Sequence, residues 1–254
     1  MGREIRLKVV GKLFVLAFLS FCIWEFSGRA GLSQRGGVLI PVTPQQLDVE
    51  KDGIPVELRC TSGRSSAPNV LDSFTCVLLN NTAKGITAAD VIYSIVFEIN
   101  GSESKASYAS TIDTRLHPDF ASMSRPIKPG AQSGNVGPPG PISYQDAVIK
   151  GVEVSIDYIE FEDGSRLGAD QQGSRIIGDM RGGADRYRNW LRTEYSRNGQ
   201  PPDALIQMLN SRALPSELKF ASADEEQGAR AYRNRLRRMY ESKGEAEVRT
   251  FLRK

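Results

Sequence analysis

Between residues 47 and 168, apolar and polar positions alternate with a period of two, and turn residues rather than helical stretches interrupt them. Val56, Leu58 and Cys60 alternate with Glu57 and Arg59, and Phe74, Cys76 and Leu78 follow the same rhythm in part. This is the pattern of a strand with one covered face, because successive side chains point to opposite sides. Residues 91–99 are rich in β-branched and aromatic side chains and end at Asn100-Gly101, a pair suited to the positive φ angles of a tight hairpin. Residues 107–111 are the expected return strand. Later, Val152, Val154, Ile156 and Tyr158 alternate with Glu153, Ser155 and Asp157, and the parity then moves to Ile159 and Phe161, which predicts a bulge. Asp163-Gly164 turns the chain. Short strands without intervening helices predict an antiparallel β-sandwich over 47–168.

From about residue 178 the period becomes helical. Tyr187, Trp190, Leu191 and Tyr195 share one face, Asp203 can start a second helix carrying Leu205, Met208 and Leu209, and Ser222 with Glu225 forms a capping box. The third helix carries Ala229, Tyr232, Leu236 and Tyr240 on one stripe, and a short fourth is expected from Glu245 to about Leu252. The fold class is therefore α+β: a sandwich, then a helical region over 178–254.

The N-terminus follows a different logic. Arg3, Arg6, Lys8 and Lys12 precede an apolar run at residues 13–24 that only Ser20 interrupts. A basic flank before an apolar stretch marks export. The run is shorter than the ~20 residues that span a bilayer as a helix, and it reads either as the core of a cleaved signal or as an anchor lengthened by snorkelling of Lys12. Residues 1–26 are thus a signal peptide or membrane anchor and 27–46 a Gly-, Ser- and Gln-rich linker. The bulk of the chain is expected outside the cell membrane, on a single N-terminal span, or secreted or periplasmic after cleavage. Membrane attachment through this segment is the first expected partner contact.

Beyond Cys22, Cys60 and Cys76 are the remaining cysteines, an even pair in the exported part. A disulfide between them would close a loop of 15 intervening residues, a constraint worth ~3 kcal/mol in the chain-entropy model; two buried thiols are the alternative.

The stretch Phe74-Thr-Cys-Val-Leu-Leu-Asn-Asn-Thr-Ala-Lys-Gly-Ile86 resembles the second-strand region of uncharacterised exported bacterial proteins with an immunoglobulin-like domain. The resemblance implies that architecture for residues 47–168 and carries no catalytic residues. The chain departs from antibody-type domains in having no tryptophan between the paired cysteines.

Composition narrows the chemistry. With 33 basic and 30 acidic residues the net charge is +3, which gives no case for nucleic acid. A single histidine, His117, removes multi-histidine metal sites. His117 with Asp113 and a serine such as Ser110 is the one grouping with the residue types of a hydrolase or glycan-acting enzyme, yet it lacks any nucleophile-elbow motif. Glu160, Glu162 and Asp163 cluster at a turn but lack calcium-loop spacing, and Glu160 and Glu162 read as an exposed strand face. Neither grouping is assigned as a site, and no catalytic residue, metal or cofactor is expected. Residues 126–141 hold five prolines and four glycines and read as a mobile insertion or a partner-facing polyproline surface. Arg230, Arg233 and Arg237 form a basic stripe expected to meet lipid headgroups or an acidic partner. The sequence therefore points to a non-catalytic binding or scaffolding role beside an unknown envelope protein.

Overall fold

The computed structural model of the chain describes residues 38–47, 55–116, 125–138, 140–197 and 203–253. Residues Val38–Lys254 form one unit, so strands and helices belong together. At its centre is a five-stranded sheet. The strands β7 (Ile86–Ile99) and β8 (Ser102–Asp113) form an antiparallel hairpin, and β10 (Val148–Phe161) pairs antiparallel with the other side of β7. On the far side of β10 lie β11 (Arg166–Leu167) and β2 (Val42–Gln45), and β2 runs parallel to it. The β7–β8 turn takes positive φ at both central residues, 52° at Asn100 and 79° at Gly101, as an Asn-Gly hairpin requires.

The inner face of this sheet carries Val91, Tyr93, Ile95, Val152, Val154 and Ile156, packed against Val56, Leu58, Cys76 and Leu78. The facing layer is three separate two-stranded ladders. They are β1 (Val38–Ile40) with β4 (Gly63–Ser65), β3 (Val56–Cys60) with β6 (Cys76–Asn80), and β5 (Val70–Leu71) with β9 (Ile142–Ser143). Cys60 and Cys76 are cross-strand partners and are joined by a disulfide.

Two expectations change here. The linker expected through residue 46 is already strand from Val38, because β1 and β2 find partners far along the chain. The Pro/Gly segment, expected to be a mobile insertion, is fixed along β6. Ser133 N–H donates to the Leu78 carbonyl at 2.8 Å and Val136 N–H to that of Cys76 at 2.8 Å. In return, Leu78 N–H donates to Ser133 Oγ at 2.9 Å and Cys76 N–H to Asn135 Oδ1 at 3.0 Å. Side-chain oxygens thus stand in for the carbonyls of a neighbouring strand, and Ile127 and Val136 are buried.

Four helices follow among the described residues: α1 (Gly173–Arg197), α2 (Ala204–Asn210), α3 (Ala223–Lys243) and α4 (Glu245–Arg253). Ser222 Oγ accepts from Glu225 N–H at 3.1 Å, as the capping box requires. Helix α1 begins five residues earlier than its apolar period shows. Its first N–H groups are satisfied from the sheet: β10 is irregular between Ile156 and Tyr158, and Asp157, set between them, accepts from Gln171, Gln172 and Gly173. Helices α1 and α3 cross in close contact, since a Cβ added at Gly183 would sit 1.8 Å from the Glu225 carbonyl oxygen and one at Gly228 1.9 Å from that of Met180. Tyr187, Leu191, Leu205, Ala229, Leu236 and Val248 form the helical core.

No helix among the described residues is long and apolar enough to cross a membrane. The basic and apolar segment at residues 1–26, on which the anchor or signal expectation rests, lies outside them.

Candidate functional site

Where α1 passes over the outer face of the sheet, three charged side chains meet in a largely buried network. Arg181 donates through Nε to Asp113 Oδ2 at 2.7 Å and through its two terminal nitrogens to Glu160, both at 2.9 Å. Glu160 also accepts from Thr87 Oγ at 3.2 Å and from the Tyr158 hydroxyl at 3.3 Å. The Arg181 bonds hold the Glu160 carboxyl below its ordinary range, against burial that pushes it up. For Arg181, burial works against the charge, but the bonds to Glu160 and Asp113 outweigh it and raise its pKa. A bidentate guanidinium–carboxylate pair supplies the extra hydrogen bonds that a buried ion pair needs to offset desolvation.

This network forms one wall of a cleft of about 330 Å³. Arg115, Arg181, Arg188 and Arg235 line it, with Asp185 as the one acidic residue among the described lining residues, beside Leu116, Ala184 and Phe251. The Arg235 guanidinium stacks 4.4 Å over the Phe251 ring and donates to the Arg115 carbonyl. Two polar groups here have no hydrogen-bond partner among the described residues: Nε of Arg188 and the hydroxyl of Tyr232. Tyr232 is only 6% exposed. Burial pushes its hydroxyl pKa up, against the lowering influence of Arg188, Arg235 and Arg192, so it stays a neutral donor at physiological pH. An unpartnered hydroxyl at such burial costs on the order of 1–3 kcal/mol. Among the described residues the lining contains no serine, cysteine, histidine or lysine. It offers charge and donors to an oxyanion.

The residues singled out from sequence are distributed otherwise. Asp113 is committed to Arg181, and His117 lies outside the described residues. Ser110 sits opposite Val91, on the inner face, while Asp113 sits opposite Ala88, on the outer; the sheet places them on opposite sides. Glu160, read as part of an exposed strand face, is instead buried at 9% exposure beneath α1. Glu162 accepts from Gly85 N–H, and Asp163 pairs with Lys84 at 2.6 Å. No group of three or more metal-ligating side chains forms among the described residues.

The α3 stripe divides. Arg230 pairs with Glu226 at 2.5 Å and Arg237 with Glu241 at 3.7 Å on the surface. Arg233, 7% exposed, turns inward and donates to the carbonyls of Ser211, Arg212 and Ala213 after α2. It therefore braces a loop rather than presenting charge to a partner. Arg235, between them, is the α3 arginine that reaches the cleft. Sequence reading missed Arg115, Arg181 and Arg188. The spacing of Arg181 and Arg188 at i and i+7 on α1, beside apolar Ala184, Tyr187 and Leu191, is the signal that would have found two of them. Comparison with family models, with curated proteins and with solved structures finds no match to this chain.

Proposed function

We propose that the chain is a non-catalytic binding domain that takes an anionic group into the arginine-lined cleft. The observation that carries this reading is the convergence of four arginines on one cleft. Guanidinium groups match carboxylate, phosphate and sulfate geometry through paired donors. The setting is the one the sequence points to: export behind the basic and apolar N-terminal segment, tethered in the cell membrane or released after cleavage, next to a component of the cell envelope. The Cys60–Cys76 disulfide supports an oxidising compartment. The two β layers are read as a sandwich of immunoglobulin type, a rigid support that leaves binding to the helices.

The test is calorimetric titration of the full-length chain, in neutral detergent, with inorganic phosphate and with sulfate. Saturable binding that Arg188→Gln abolishes and Arg115→Gln weakens is the expected result. No saturation with either anion, or saturation indifferent to both substitutions, overturns the reading.

A further inference from the structure

The five-stranded sheet ends on β8, which pairs with β7 on one side only among the described residues. Twelve consecutive pairs join the two strands, from Ile99 with Ser102 to Ala88 with Asp113, without a bulge. Hydrogen-bonded and non-bonded pairs alternate along an antiparallel ladder, and two contacts set their phase here. Thr114 N–H donates to the Thr87 carbonyl at 3.0 Å, so the even-numbered residues of β8 turn their backbone groups toward β7. The Ser94 and Ser107 hydroxyls meet at 2.7 Å, as side chains of the closer, non-bonded class do. The N–H and C=O groups of Glu103, Lys105, Ser107, Ala109 and Thr111 therefore point away from the sheet. None of them has a backbone partner among the described residues. The strand is exposed from Ser102 to Lys105 and again from Ser107 to Ala109. Unlike β6, whose edge the proline-bearing segment occupies, β8 has no proline, bulge or covering segment among the described residues. Its lysine does not guard the edge either, because Lys105 Nζ reaches across the outer face to Glu153 at 2.8 Å. A long, straight, open edge of this kind is a template for another strand.

We infer that β8 is an interface between two copies of this chain, paired antiparallel about a two-fold axis at Ser107, which joins two five-stranded sheets into one. The edge is complementary to itself in this register. Glu103 faces Thr111 of the second copy, Lys105 faces its Ala109, and Ser107 faces its own counterpart. Every outward group from Glu103 to Thr111 is then bonded, and no like charges stand opposed. Sliding the register one way sets Glu103 against Asp113, and sliding it the other way leaves Thr111 unpaired. A parallel pairing about a two-fold axis sets Lys105 beside Lys105, which costs stability. On the inner face Tyr108, 38% exposed and among the exposed large apolar residues, comes beside Ala106 of the second copy. That pair is of the closely spaced class, and the small alanine leaves room for the ring. The ring is already fixed in place, stacked on Tyr93 at 5.5 Å with its hydroxyl 2.8 Å from that of Tyr144. Little side-chain freedom is therefore lost when the second copy covers it.

The experiment is sedimentation velocity of the full-length chain, in neutral detergent, over a wide range of protein concentration. A monomer–dimer equilibrium is expected. Ala109→Lys sets a lysine against Lys105 at both symmetric positions and should raise the dimer dissociation constant ~10-fold. Ala109→Glu sets a carboxylate against the same lysine and should lower that constant ~3-fold. Ala109 is exposed, so both variants should keep the thermal midpoint of the unmodified chain. A monomer at every concentration overturns the self-pairing and leaves the edge to an extended segment of another protein. Any other order of the three dissociation constants, including association that neither substitution changes, also overturns it and places the contact elsewhere on the chain.

Discussion

The carboxylate of Asp157, in the middle of β10, accepts a hydrogen bond from the backbone N–H of Gly173 at 2.7 Å. That contact fixes where α1 starts and how it lies on the sheet, because the same carboxylate also accepts from Gln171 at 2.8 Å and Gln172 at 3.0 Å. Bonds from a charged acceptor to helix-start N–H groups are worth about 1.5–3 kcal/mol each at most and do not add fully. Asp157→Ala should therefore cost about 2–3 kcal/mol and expose the 168–175 segment to protease first. An unchanged denaturation midpoint would show that α1 is held by its apolar face alone.

Asp90 lies beneath the same helix, fully buried, with Oδ1 bonded to Thr111 at 2.7 Å and Oδ2 without a partner among the described residues. Burial raises its pKa to about 6; the Thr111 bond opposes this, and the nearby Asp157 and Asp224 add to it. The folded value is above the unfolded one, so Asp90 favours folding most below about pH 4, and that contribution is lost as the pH rises through about 6. Urea midpoints should fall over this window by up to about 3 kcal/mol in stability. Asp90→Asn should flatten that part of the curve and be the more stable protein at pH 7.5. A variant that keeps the wild-type pH profile would assign the effect elsewhere.

Removing Arg181 leaves Asp113 buried without its cation and Glu160 with only the exposed Arg115, 3.9 Å away. Arg181→Met should cost about 3–5 kcal/mol. Most of that should return when Asp113→Asn and Glu160→Gln are added, since the penalty is uncompensated charge rather than lost packing. Thermal unfolding of the single and triple variants checks this; a triple variant no more stable than the single one would refute it.

The Cys60–Cys76 bond closes a loop within a ladder that is already paired. Replacing both cysteines by alanine should lower stability by about 3 kcal/mol, and the variant should match the unmodified chain unfolded in reductant. Matching midpoints with and without reductant in the unmodified chain would contradict it.

Much of the fold was legible because it is local. Asn100-Gly101 specifies its hairpin from two residues, and Ser222 with Glu225 specifies a helix start from four. The parity shift read after Tyr158 lies beside a real irregularity, between Ile156 and Tyr158, but nothing nearby showed that it frees Asp157 to cap a helix. The site was illegible for the same reason. Arg181 reaches Asp113 across 68 positions and Glu160 across 21, and only the pairing of β7 with β8 and β10 brings the two carboxylates side by side. Glu160 was misread because alternation was taken to mean one covered face. In this sheet α1 covers part of the outer face too, so a polar residue there can be buried if it is paired. The basic stripe of α3 was read from spacing alone, which cannot tell that Arg233 turns toward the chain after α2.

The segment that follows β6 has a consequence for how the chain behaves in company. The β3–β6 ladder carries Val56, Leu58 and Leu78 on one flank, and an open strand edge beside such side chains is a template for pairing with other molecules. Here that edge is occupied by a stretch whose prolines, at 126 and 129 and again at 138, cannot themselves propagate a ladder. That edge is thereby covered by a sequence that looks like a loop. Exchanging residues 128–138 for a glycine–serine linker should leave the helices intact and yield a protein that self-associates with concentration, visible as a shift in sedimentation.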